Sequence, residues 1–146
     1  MTVLTHMAVG AAAGSFLDGR LPAALLGVAV HVPLDLIPHY EFQKLWLEIA
    51  VVAGALAAMI WAGLWTAPVF WGAVGAILPD AENLLWRLGY LPDERKVFPG
   101  HSPRLARWLP HGRELPVRHA WWQALLAAAA VVVAALNTAS SLRTGV

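Results

Sequence analysis

The sequence contains no cysteine, which excludes disulfide bonds and metal sites built on thiolates. Charge is scarce as well, because only 13% of the 146 residues are charged, against about 25% in a typical soluble domain. The net charge of +1 gives no electrostatic reason to expect nucleic-acid binding. The N-terminus has neither a basic leader region nor a clear cleavage site, so we expect the first apolar segment to remain in the protein.

Apolar residues dominate instead, at 59% of the chain, with eight tryptophans and a mean hydropathy of +0.60. This composition is typical of integral membrane proteins. The chain has five apolar segments, at residues 3–17, 22–37, 43–64, 68–88 and 120–139, and a polar, proline-rich loop at 89–118. We therefore predict one all-α domain over residues 1–146, an integral membrane bundle of about five transmembrane helices.

Two prolines and two glycines add detail to this predicted bundle. Pro33 and Pro79 lie inside helical segments and each removes a backbone donor, so we predict kinks in helices 2 and 4. Gly10 and Gly14 have the spacing of a close helix–helix contact, which we expect to lie within the chain. The alternative for this pair is a chance result of a segment rich in alanine and glycine.

If each segment crosses the membrane once, alternate ends of the five segments meet at one face. That face collects most of the ionisable side chains, namely His6, His31, Asp35, His39, Glu41, Glu48, Asp80, Glu82, His101 and His119. Ionisable groups at membrane depth cost about 2.5–3.5 kcal/mol each and mark functional sites. Eight basic residues lie on the same side and two, Arg20 and Arg143, on the other. The positive-inside rule then predicts that this face is cytoplasmic, with the N-terminus inside and the C-terminus outside.

The pair His31 and Asp35 predicts a metal site, because a four-residue spacing places both side chains on one face of a helix. Imidazole nitrogen and carboxylate oxygen together suit zinc and similar divalent ions. The other candidate ligands at this face are His6, His39, Asp80 and His101. Six ligands exceed what one tetrahedral ion uses, so we predict one or two divalent ions, with zinc as the first candidate.

Each candidate ligand also has a purely structural explanation. His6 can be a hydrogen-bonded helix contact, and Asp35 can serve only as a partner for His31. Asp80 can cap a helix that restarts after a kink. We expect His111 at the headgroup level, beside an aromatic belt. The metal interpretation therefore depends on the convergence of the whole set.

Four short motifs carry a resemblance to a known family. They are "TH" at 5–6, "HVPLDLIPH" at 31–39, "AILPDAEN" at 76–83 and "GHS" at 100–102. Together they resemble the predicted inner-membrane metal-dependent hydrolases, and the opening looks like that of small bacterial membrane proteins with an HxxxDxxPH motif. The HxxxD pair is also similar to that of zinc-dependent phospholipase C, in which both residues bind zinc. The resemblance covers most of the first 102 residues and implies as metal ligands His6, His31, Asp35, His39, Asp80 and His101.

The chain departs from this family at residues 79–83. The family has PDxDH there, whereas this chain has Glu82 in place of the second aspartate and Asn83 in place of the histidine. The HxxxD pair also precedes the PD pair, the reverse of the order in the better-known members. The resemblance therefore implies a site that lacks one imidazole at position 83.

The predicted function is hydrolysis of a lipid-type ester, in the first place a phosphoester, by a membrane-bound metal-dependent enzyme. Asp80 or Glu82 would act as the general base, and Arg104 or Arg107 would hold the phosphate. The expected partner is a membrane lipid or lipid-linked substrate, with a homo-oligomer or a membrane protein partner also open. The alternative is a non-catalytic structural or assembly subunit of a larger membrane complex. A transporter is disfavoured, because the far half of the bundle is nearly all alanine, valine and leucine.

Overall fold

The computed structural model describes residues 1–144, and its regular elements are helices. In chain order the α-helices are α1 (Val3–Gly14), α2 (Arg20–Leu36), α3 (Leu45–Trp61), α4 (Ala67–Ile77), α5 (Ala81–Arg87) and α6 (Trp121–Thr144). Short 3-10 turns lie at Leu78–Asp80, Asp93–Arg95 and Val117–His119. Residues 1–144 contain no strand beyond one isolated bridge between His39 and Glu114, so the predicted all-α class is confirmed.

The central helix is α4, which packs between α1 and α2. Small residues allow this close approach, because a Cβ atom on Gly72 would overlap the backbone of Gly10 and crowd that of Gly14. A Cβ atom on Gly27 of α2 would overlap the carbonyl oxygen of Gly72 as well. The predicted close contact of Gly10 and Gly14 within the chain is therefore confirmed, and its partner is α4.

Two further helices cover this trio from outside. α6 packs against α1 through a seam of alanines, Ala8, Ala12, Ala127 and Ala130. α3 contacts the trio through Met59, which lies in a small apolar core with Met7 and Val69. Because α3 is the least closely packed of these helices, an open cleft remains between it and α4.

The two prolines inside helical segments have different outcomes. The segment predicted at 68–88 is broken at Pro79, since α4 ends at Ile77 and α5 begins at Ala81 after a 3-10 turn. By contrast, α2 continues through Pro33 to Leu36. The break after α4 is important for the site, because it turns Asp80 out of the regular helix.

One stretch of the described residues, Val117–Ser141, is long and apolar enough to cross a membrane. It has 25 residues, and only 22% of its most apolar part is buried inside the molecule. α1 has 12 residues and α4 has 11. These lengths correspond to about 18 and about 17 Å, short of the roughly 30 Å of a bilayer core. The five-crossing bundle is thus supported at one segment and remains a prediction for the other four.

The side chain of Arg143 and the C-terminal end lie outside the part of the chain whose side chains the structure describes. The predicted orientation, with the C-terminus outside, therefore also remains a prediction.

We expect Gly72→Ala to destabilise the fold by about 1–3 kcal/mol, because the added methyl group overpacks the crossing with α1. The measurement is the thermal unfolding midpoint of the protein in detergent micelles. Gly54→Ala is the matched control, since Gly54 is an exposed α3 position whose Cβ would meet no described atom within 4 Å. The control should gain about 0.5–1 kcal/mol from helix propensity. Equal midpoints for the two variants would contradict the close crossing.

Candidate metal centre

Five of the six histidines converge at one end of the bundle, around two aspartates. We call buried cluster the five residues His6, His31, Asp35, Asp80 and His101. We call rim group the three residues His39, Glu41 and His111, which lie next to it. The helices position most of the buried cluster, since α1 carries one member, α2 carries two, and the break after α4 carries Asp80. All six predicted metal ligands lie in these two groups.

Asp35 is the centre of the buried cluster, and its two oxygens face three imidazoles and the N-terminal ammonium of Met1, whose nitrogen lies 3.1 Å from Oδ1. Its Oδ2 lies 2.9 Å from His31 Nε2 and 3.0 Å from His101 Nε2. Its Oδ1 lies 3.1 Å from His6 Nε2, and the other ring nitrogen of His6 lies 3.2 Å from Asp80 Oδ2. Ligand atoms about 2.0–2.2 Å from a tetrahedral zinc ion are about 3.3–3.5 Å apart. The observed separations approach that spacing without any movement of the backbone.

Several of these short contacts are not aligned as hydrogen bonds. Both ring nitrogens of His6, the Nε2 of His31 and the Oδ2 of Asp80 are buried and have no hydrogen-bond partner among the described residues. An unsatisfied buried polar atom costs about 1–3 kcal/mol. A neutral imidazole has one lone pair and one N–H, so His6 can offer a cation one of its two nitrogens, and His31 can offer its Nε2. Such lone pairs beside carboxylate oxygens are the arrangement expected of ligands around a cation, so the donor set fits a divalent ion.

Backbone carbonyls fix the orientation of two imidazoles. His31 Nδ1 lies 2.6 Å from the carbonyl oxygen of Ala76, and His39 Nδ1 lies 2.7 Å from that of Ile37. Because a carbonyl oxygen only accepts, each Nδ1 donates and, in the neutral ring, each Nε2 keeps its lone pair. Metal-binding histidines have the same second contact, which sets the tautomer and the ring plane.

The predicted polar loop at 89–118 folds back over the site and supplies one imidazole to the buried cluster and one to the rim group. The backbone N–H of His39 donates to the carbonyl of Arg113 at 3.1 Å, and that of Leu115 donates to the carbonyl of His39 at 2.7 Å. This ladder holds the loop beside the end of α2 and brings His111 to the rim. His101 lies in a turn of the same loop.

Glu82, predicted as a possible general base, lies apart from the cluster. Its carboxylate accepts hydrogen bonds from the backbone N–H groups of Val97 and Phe98, at 3.0–3.2 Å. The side chain therefore anchors the start of the loop that carries His101. Anchoring the loop is a sufficient structural reason for a carboxylate at position 82, and it requires no catalytic role for Glu82.

The predicted phosphate-binding residues Arg104 and Arg107 are exposed, and neither contacts the cluster within residues 1–144. Arg107 lies over the ring of Trp108, 5.1 Å from its centre. The arginine at the site is Arg87 of α5, whose guanidinium lies 3.4 Å from Glu48 Oε2 and 3.8 Å from Glu41 Oε2. In the sequence, Arg87 is one of the eight basic residues expected on the cytoplasmic side, with no further role predicted.

Two members of the rim group, His111 and Glu41, are not among the metal ligands predicted from the sequence. His111 was expected at the headgroup level, yet its Nδ1 lies 3.5 Å from Asp35 Oδ2. Glu41 was placed on the correct face but was not considered as a ligand. Burial tends to raise the pKa of Glu41, but hydrogen bonds from His111 and His39 outweigh it and hold the pKa far below its usual value. Glu41 is therefore an anionic partner for the two imidazoles.

A cavity of about 590 Å³ opens between α3 and the α4–α5 segment and leads to the cluster. Its walls are mainly apolar, with Ile49, Val52, Leu56, Val74, Ile77 and Leu84 among them. Its polar end is lined by Glu41, Glu48, Asp80, Asn83 and Arg87. Asp80 thus belongs both to the buried cluster and to the lining of the cavity.

No family model, no curated protein and no solved structure matches this chain. The resemblance to the predicted inner-membrane metal-dependent hydrolases therefore remains a prediction based on its four short motifs.

We expect purified protein to carry at least one zinc or similar divalent ion per chain, and His31→Ala and Asp35→Ala each to lose the ion of the buried cluster. Both residues supply ligand atoms to the buried cluster, and loss of a ligand weakens the binding of a metal directly. Elemental mass spectrometry of the purified wild-type protein and variants measures the number of metal ions per chain.

His119→Ala is the matched control, because His119 contacts only Arg118 among the described side chains and lies outside both groups. Size-exclusion chromatography in detergent checks that each variant keeps its fold. A metal content that is unchanged in both cluster variants would contradict the assignment.

Proposed function

We propose that this protein is a membrane-bound metal-dependent hydrolase of a lipid-type ester, in the first place a phosphoester. The observation that carries the proposal is the convergence of unpaired, buried ring nitrogens of His6 and His31 on the carboxylates of Asp35 and Asp80. A divalent ion held by these residues would lower the pKa of water and polarise a phosphoryl oxygen.

The exposed surface supports a membrane location. Large apolar side chains point outward on several helices, with Trp61 91% exposed, Trp46 65% and Leu136 66%. Apolar surface of this extent is unusual on a soluble monomer, where it indicates contact with a membrane or another protein. We infer that α3 and the α4–α5 segment cross together with α6, and that α1 and α2 cross as short helices packed against α4. The site would face the cytoplasm, where eight basic residues gather.

The shape of the cavity supports a substrate with a long apolar tail. Its walls on α3 and α4 are apolar, and its polar end reaches Asp80 of the buried cluster. A lipid lying between these helices would place its tail against the walls and its polar head beside the metal ligands. Small-molecule sites commonly combine such apolar walls with a few polar groups that fix orientation.

Two side chains at the polar end of the cavity have proposed roles. Asp80 bridges the cavity and the buried cluster, so we propose that it accepts the proton from the attacking water or orients that water. Arg87 is the guanidinium closest to this point and can bind a phosphate through two parallel hydrogen bonds. We therefore propose Arg87 for the role predicted for Arg104 and Arg107, and leave Glu82 a role in anchoring the loop.

The test is hydrolysis of a long-chain alkyl phosphate and of a short, water-soluble alkyl phosphate by zinc-loaded protein in detergent. We expect kcat/KM to be about tenfold or more higher for the long chain, since two buried methylenes at about 0.8 kcal/mol each suffice. Chelation should abolish turnover, and zinc should restore it. Bound metal without turnover on either substrate or on carboxylic esters would favour the assembly-subunit alternative.

The same assay tests Arg87 against the two arginines predicted earlier. Arg87→Ala should lower kcat/KM by roughly 10- to 100-fold, mainly through KM, because a charged hydrogen bond contributes about 1.5–3 kcal/mol. Arg104→Ala is the matched control and should remain near the wild-type value. A larger loss of kcat/KM in Arg104→Ala or Arg107→Ala than in Arg87→Ala would contradict the role proposed for Arg87 and support the residues predicted from the sequence.

Five crossings with a cytoplasmic N-terminus place the C-terminus outside. We expect a C-terminal alkaline phosphatase fusion to be active and a C-terminal green fluorescent protein fusion to be dark, since each reporter works on one side of the membrane only. A fluorescent, phosphatase-negative result would contradict the proposed combination of a cytoplasmic N-terminus with an odd number of crossings.

A further inference from the structure

We propose that the rim group His39, Glu41 and His111 is a second cation site, separate from the buried cluster, for a divalent ion of the zinc class. The three ligand atoms form a nearly equilateral triangle. Glu41 Oε1 lies 3.0 Å from His39 Nε2 and 3.1 Å from His111 Nε2, and the two Nε2 atoms are 3.1 Å apart. Such a triangle approximates one face of a zinc tetrahedron, whose edges are about 3.3–3.5 Å.

Protonation alone satisfies this triangle poorly. His39 donates its Nδ1–H to the carbonyl of Ile37, so in the neutral ring its Nε2 is a lone pair directed at the carboxylate oxygen of Glu41. If His111 Nε2 carries the one N–H, that N–H can be aligned either with His39 Nε2 or with Glu41 Oε1, but not with both. A cation inside the triangle interacts favourably with all three lone pairs at once.

Asp35 supplies the second contact that a metal-binding imidazole at His111 requires. The Nδ1 of His111 lies 3.5 Å from Asp35 Oδ2, while its Nε2 faces the rim triangle. Carboxylates commonly orient metal-binding histidines in this way. The two sites therefore share Asp35, which is a ligand in the buried cluster and an orienting residue for the rim group.

Exposure distinguishes the two sites. His6, His31 and Asp35 of the buried cluster are enclosed, whereas the side chains of His111 and Glu41 are 33% and 32% exposed. Glu41 also lines the polar end of the cavity. Three protein ligands with one side open to solvent or substrate are the pattern of catalytic zinc sites.

The test is the zinc stoichiometry of the full chain in detergent micelles, measured by equilibrium dialysis against zinc alone. We expect two ions per wild-type chain and one per chain in Glu41→Gln and in His111→Ala. The isosteric glutamine keeps the shape of the rim, and the ion that the variants retain reports that the buried cluster is still folded. His119→Ala is the matched control and should bind two.

One ion per wild-type chain, or two ions in both rim variants, would overturn the rim site. The inference deepens the proposed function but is separable from it. Failure of the hydrolase proposal would appear as two bound ions without turnover, whereas failure of the rim site would appear as one bound ion whatever the turnover.

Discussion

The structure depends on the burial of one carboxylate, that of Asp35. An ionised carboxylate removed from water is strongly destabilising unless charged or hydrogen-bonding partners surround it. Here the two oxygens face the imidazoles of His6, His31 and His101, with His111 slightly further away. These partners come from α1, α2 and the loop at 89–118, so this single group ties together distant parts of the chain. The N-terminal ammonium of Met1, 3.1 Å from Oδ1, supplies one positive charge, and a divalent cation held among the imidazoles would add to it.

Helix packing makes that convergence possible. Glycines at the crossings with α1 and α2 let α4 approach both neighbours closely, so the ends of the three helices lie within reach of one another. The break at Pro79 then directs Asp80 toward His6 instead of continuing the helix. The looser contact of α3 leaves the cavity open beside the cluster. Close packing on one side and an open cleft on the other thus arise from small residues and one proline.

The sequence predicts the helical part of this site well. Helix periodicity pairs His31 with Asp35, and alternating segment direction brings His6 and Asp80 to the same end, which requires no knowledge of the loops. His111 and Glu41 were missed because the path of a proline-rich loop is set by tertiary contacts such as the backbone ladder to His39. The lengths of the helices also differ from expectation, since α1 and α4 are shorter than a bilayer is thick. Apolar composition predicts burial or lipid contact, but it does not fix where a helix ends.

X-ray absorption spectroscopy of the bound metal in the purified protein is the sharpest test of an ion held by these residues, because it examines the ligands around the ion itself. We predict a first shell of nitrogen and oxygen at about 2.0–2.2 Å, with outer-shell scattering from at least two imidazoles. A chain without cysteine contributes no sulfur to that shell. Protein that holds no metal above the buffer level, or a metal shell without imidazole scattering, would contradict a metal site built on these histidines.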